Sequence, residues 1–128
     1  MKIDDPKVVA EVSAAFARYE AALMANDVAV LGELFWKSEL TLRYGIGEIL
    51  YGWQAIAAFR AARSPAGLAR TLSNTRINAW GDDFATANTE FRRPTTPRVG
   101  RQSQTWVRMP EGWRIVVAHV SLMDAPAG

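Results

Sequence analysis

The chain has 128 residues, 49% of them hydrophobic and 22% charged, which is enough apolar material for one domain with its own core. It has no cysteine and a single histidine, His119, which excludes a disulfide framework, a thiol nucleophile and a zinc site built on thiolates or on several imidazoles. Of its 15 basic residues 12 are arginine, so the formal net charge of +2 rests on rigid, weakly hydrated guanidinium forks suited to partly buried carboxylates.

Residues 1–59 carry five basic and eight acidic side chains, and residues 60–128 carry ten and five. Only Arg92-Arg93 are adjacent; the other arginines stand singly, so nucleic-acid binding is set aside as a minor alternative despite a pI near 9.3. The apolar runs are too short for a bilayer, and the opening MKIDDPK has no hydrophobic signal region. The expectation is a cytoplasmic protein without a membrane partner.

In chain order, Asp5-Pro6 starts a helix whose stripe Val12, Phe16, Tyr19, Leu23 recurs at helical spacing to about Met24. Asn26-Asp27 breaks and re-caps the chain, and Val30, Leu31, Leu34 and Phe35 form the buried side of a short second helix. Leu40 to Tyr44 alternates like a strand that Gly45-Ile46-Gly47 ends. Gly52 precedes a third helix, Trp53 to about Ala62, which Ser64-Pro65-Ala66-Gly67 terminates. Four strands follow, Leu68–Trp80, Phe84–Arg92, Arg98–Met109 and Trp113–Met123, joined by short Gly, Pro and Asp turns as in an antiparallel meander. With no repeats or linkers, residues 1–128 are expected to form one α+β domain: a curved antiparallel sheet wrapped around three helices as a cone, its mouth a small-molecule pocket.

Period-2 geometry groups the strand side chains. Arg101, Ser103 and Thr105 share one face, Gln102, Gln104 and Trp106 the other; Asn88 and Glu90 point together; His119 opposes Ala118 and Val120. Which face looks into the cone is left open by sequence.

The blocks FARYEAALMANDVAVLGELFW, LRYG, GLARTLSNT, FATANTEF, GRQSQTWVR and GWRIVVAHVSLM resemble the AtzH-like family, within the SnoaL-like, nuclear-transport-factor-like superfamily of cone-shaped (cystatin-like) domains. The resemblance runs from about Val8 to Met123. It implies a small cofactor-independent lyase, with no metal, acting in s-triazine catabolism. The implied reaction, in cyanuric acid degradation, is decarboxylation of 1,3-dicarboxyurea to allophanate. Ketosteroid isomerases share the cone and an Arg-Tyr pair on the first helix, here Arg18-Tyr19, whose tyrosine stabilises an oxyanion. Their general-base carboxylate lies as far beyond that tyrosine as Arg43 lies beyond Tyr19. Arginine is no base at ordinary pH, so the resemblance implies an anion clamp instead of proton abstraction.

On that footing Tyr19 and Arg43 are the expected catalytic pair, Tyr19 as proton donor and Arg43 as carboxylate ligand. A small dianionic carboxylated urea needs a second cation, for which Arg70 and Arg101 are candidates. Asn88 and Glu90 are candidates for the urea amide edge, Glu90 also for holding an arginine. Each has a plainer role: Tyr19 as core aromatic, Arg43, Arg70 and Arg101 as surface or cross-strand charges, Glu90 as an arginine's neutraliser, and His119 as a core or interface histidine and only secondarily a catalytic one. The five tryptophans read as core and interface packing, with Trp36 a candidate for the pocket lining. A homodimer through the exposed sheet face is expected, because Ile115 to Leu122 reads as apolar on both faces. Two other classes stay open: an accessory or assembly subunit of a ureide or oxalurate amidase, and a ligand-binding, polyketide-cyclase-like domain.

Overall fold

The structure, a computed structural model, describes residues 1–126. Three helices, α1 (Pro6–Ala25), α2 (Val28–Leu34) and α3 (Trp53–Ala62), pack on six strands: β1 (Leu42–Tyr44), β2 (Ile49–Tyr51), β3 (Thr71–Ala79), β4 (Phe84–Arg92), β5 (Val99–Met109) and β6 (Gly112–Met123). No helix among the described residues is long and apolar enough to cross a membrane.

The helix limits follow from local chemistry. The Asp5 carboxylate accepts from the Lys7 amide at 3.0 Å with Pro6 in the first turn, and Asp27 accepts from the Val30 amide at 3.2 Å. Between them Asn26 ends α1 in the left-handed region, at φ 52°. β3 to β6 form the expected meander. β1 then joins β6 in parallel and β2 pairs antiparallel with β1, so the order is β2-β1-β6-β5-β4-β3. β2 has no counterpart among the expected elements, and β3 is shorter than expected. Residues 68–70 leave the ladder, and a bulge between Ser73 and Arg76, with Asn74 at φ 52°, bends the strand.

The concave face of the sheet carries Ala85, Ala87, Phe91, Gln102, Gln104, Trp106, Ile115, Ala118 and Val120, all buried beneath the helices. Small Ala85 and Ala87 let α1 lie close while Trp106 fills the centre, its indole donating to Gln104 Oε1 at 3.0 Å. Each fully buried large side chain here contributes about 1.5–3 kcal/mol. The convex face turns Asn88, Glu90, Arg101, Ser103 and His119 outward, together with the exposed apolar Val117 and Met123 on β6 and, in register beside Val117 and His119, exposed Tyr51 and Ile49 on β2. The outer face is thus mixed, largely polar over β4 and β5 and more apolar where β1 and β2 continue the sheet beyond β6.

Candidate active site

The cone closes over core side chains at one end. At the other it holds a pocket of about 360 Å³ between α1, the β1–β2 hairpin, the end of α3 and the inner faces of β5 and β6. Tyr19, Arg43, Arg60, Arg63, Arg70 and Arg93 all line it. Five guanidinium groups therefore converge on one small cavity.

Tyr19 reaches it from the apolar stripe of α1, its ring edge-on to Phe35 with centroids 6.1 Å apart. Its hydroxyl oxygen accepts from Arg60 Nη2 at 2.7 Å, which leaves the hydroxyl hydrogen free to donate elsewhere. Burial alone would raise the phenol's pKa, but Arg60, Arg43 and Arg70 overcome it and hold the group below its usual value of 10.

Arg60 is 1% exposed; its Nε and Nη1 have no hydrogen-bond partner, and it forms no ion pair among the described residues. A buried cation without a counter-charge is a large standing cost, and an anionic ligand would relieve it.

Arg43, from β1, donates Nη1 to Glu48 Oε1 at 2.7 Å across the hairpin, and its Nε has no partner. Burial, then repulsion by Arg60, lowers its pKa. Gly45 makes this pair possible, because a Cβ there would overlap the Glu48 carboxylate. Arg70 is tied down: Nε and Nη2 donate to Glu20 at 3.1 and 2.5 Å, and Nη2 also to Gln102 Oε1 at 2.9 Å. It lines the pocket with its charge already matched.

Tyr19, Arg43 and Arg70 thus line one pocket. Asn88, Glu90 and Arg101 do not, and this corrects their assignment to the same substrate. Alternation puts them on the convex face, where Ser103 Oγ donates to Asn88 at 2.6 Å, Asn74 Nδ2 to Glu90 at 3.0 Å, and Arg101 Nε to Ser121 at 3.2 Å. His119 is exposed on that face with its ring edge-on to Tyr44, and Trp36 lies outside the pocket lining.

Sequence reasoning missed Arg60, Arg63, Arg93, Glu48 and Glu20. A signal existed for the first: Arg60 continues the stripe of Ile56 one turn on, so an arginine stands where an amphipathic helix should present its buried side, whereas Arg63 is the extended C-cap residue just beyond the helix.

The family model described as AtzH-like matches residues 1–126. Among solved structures, a protein of unknown function of the DUF3225 family from Pectobacterium atrosepticum is 61% identical, with 95% of each chain covered and a TM-score of 0.94. A cystatin-like fold protein from Burkholderia xenovorans is 47% identical over 98% of this chain and 99% of its own, with a TM-score of 0.95. A protein of the nuclear transport factor 2-like superfamily from Salmonella enterica is 27% identical over 96% and 95%, with a TM-score of 0.75. Among curated proteins none matches the chain.

Proposed function

The chain belongs to the AtzH-like family, and from that premise we propose that it is a cofactor-independent carboxy-lyase that converts 1,3-dicarboxyurea to allophanate. The observation that carries this reading is the buried Arg60–Tyr19 hydrogen bond on the floor of an arginine-lined pocket. In the reaction one N–C bond of an N-carboxylate breaks, carbon dioxide leaves, and the bonding pair stays on nitrogen, delocalised onto the urea oxygen. One proton then completes the monocarboxylated product. A group that stabilises the developing charge and supplies that proton lowers the barrier. Tyr19 fits: Arg60 occupies its oxygen as acceptor, its hydrogen is free for the urea, and the surrounding cations stabilise the tyrosinate left behind. Solvent restores the proton afterwards.

Arg43, with Nε unpaired, holds a carboxylate against Tyr19.

Steady-state turnover of 1,3-dicarboxyurea by the purified protein tests the reading. Tyr19→Phe and Arg43→Ala, each with an unchanged far-UV spectrum, should lose about a hundredfold or more in kcat/KM. Near-wild-type rates in both variants would sink it. No turnover by the protein alone, with activity appearing only in a co-purifying amidase, would favour the accessory-subunit reading.

A further inference from the structure

Two phenylalanines in the cone each carry a pair of guanidinium groups. Arg43 and Arg63 lie over the Phe59 ring, 5.5 and 5.9 Å from its centroid, and Arg70 and Arg93 lie over Phe91, at 4.5 and 5.2 Å. In each pair one arginine has a carboxylate of its own, Glu48 for Arg43 and Glu20 for Arg70. Arg63 and Arg93 form no ion pair among the described residues. Buried Nε and Nη2 of Arg63 and Nε of Arg93 have no hydrogen-bond partner. Stacking on a ring face leaves a guanidinium's in-plane donors free, the geometry a carboxylate takes up.

Both side chains are half-buried where Arg60 is fully buried, so they stand on the open side of the cavity that Arg60 and Tyr19 floor. They also feel the other cations. Burial, then repulsion by Arg60 and Arg43, pushes Arg63 down to about 10, with Arg93 adding to it, and burial, then Arg70 and Arg43, lowers Arg93. Both stay charged at neutral pH, and an anion between them would remove the repulsion.

We propose that Arg63 and Arg93 form a second anion subsite at the pocket mouth, which takes the distal carboxylate of a compact dicarboxylate whose other end lies at Arg60, Tyr19 and Arg43. This deepens the dicarboxyurea reading and rests on it for the substrate. It replaces Arg101, which is on the wrong face, and Arg70, which is already matched, as the second cation. Loss of carbon dioxide leaves a product with one carboxylate fewer, so two subsites together favour substrate over product and help to clear the pocket after each turnover.

The test uses inert acids. Calorimetric titration at low salt compares malonate with acetate on the wild-type protein and on Arg63→Gln, Arg93→Gln and Arg43→Gln, with thermal unfolding as the check on folding. Wild type should bind malonate about ten to a hundredfold more tightly than acetate. Either mouth variant should weaken malonate about tenfold and leave acetate within about threefold, whereas Arg43→Gln should weaken both. Arg63→Lys or Arg93→Lys retains charge without the fork and should recover part of the malonate affinity, which separates charge loss from misfolding. No malonate preference in the wild type, or equal losses of both acids in the mouth variants, overturns the subsite. This pattern without dicarboxyurea turnover would strike the reaction and leave the subsite standing; turnover without malonate preference would do the reverse.

Discussion

Tyr19 shows how one residue can satisfy two sequence readings at once. Its place on the stripe Val12, Phe16, Tyr19, Leu23 makes it a core aromatic, and it is 2% exposed, yet its hydroxyl sits at the pocket floor against Arg60. Helical periodicity sees the ring and cannot see the cation that meets its tip, because Arg60 lies on another helix. The lowered pKa gives a sign that can be checked. The chain has three tyrosines, and Tyr44 is held above its usual value by a hydrogen bond with Tyr51. Tyr19 should therefore ionise earlier than Tyr44 in an absorbance titration of tyrosinate, and an early step should vanish in Tyr19→Phe. For an acid whose folded pKa is depressed, the stabilisation is present above the unfolded value of 10 and is lost as pH falls through the folded pKa. The difference in unfolding free energy between wild type and Tyr19→Phe should thus grow as pH rises towards 10. Turnover, which uses the neutral phenol, should fall over the same range. An alkaline limb above 10, or an absorbance titration identical in the variant, would contradict this.

Among the elements, α1, α2, α3 and the β3–β6 meander could be read from caps, stripes and turn residues, all of them local signals. What could not be read was non-local or too short. β2 is three residues, Ile49-Leu50-Tyr51, and β1 finds its parallel partner β6 far along the chain. The inward face of each strand is likewise set by where the helices land, and Asn88, Glu90 and Arg101 fall on the outward one. The β1–β2 hairpin matters to the site through the Glu48 carboxylate, which occupies one donor of Arg43. Glu48→Gln removes a counter-charge from a buried arginine, so folding should lose about 1–2 kcal/mol while malonate binding tightens several-fold. Thermal unfolding and calorimetry on the same variant should move in opposite directions. Weaker malonate binding in Glu48→Gln would instead make Glu48 an orienting partner that Arg43 needs.

The asymmetry of charge between residues 1–59 and 60–128 acquires a meaning in the whole molecule. Folding brings the acidic first half onto the basic second: Glu20 meets Arg70, and Glu11 meets Arg108. Matching is incomplete in the pocket, where among the described residues the five arginines pair with Glu20 and Glu48, and the surplus lies on Arg60, Arg63 and Arg93. The arginine-rich composition is thus a local concentration of positive charge that the folded state must hold against repulsion and desolvation. A ligand that binds only the folded chain stabilises it by mass action, about 2.7 kcal/mol at a hundredfold above its Kd, or roughly 10 °C in midpoint for a domain of this size. Malonate should therefore raise the unfolding midpoint by that order, and sodium chloride at equal ionic strength by much less, since screening acts weakly on buried charges. Arg63→Gln and Arg93→Gln should start from a higher midpoint, because each removes an unmatched half-buried cation, and should gain less from malonate. If chloride gives the same increment as malonate, the surplus charge is merely screened and no dicarboxylate site is present. If the variants gain as much as wild type, the anion binds elsewhere.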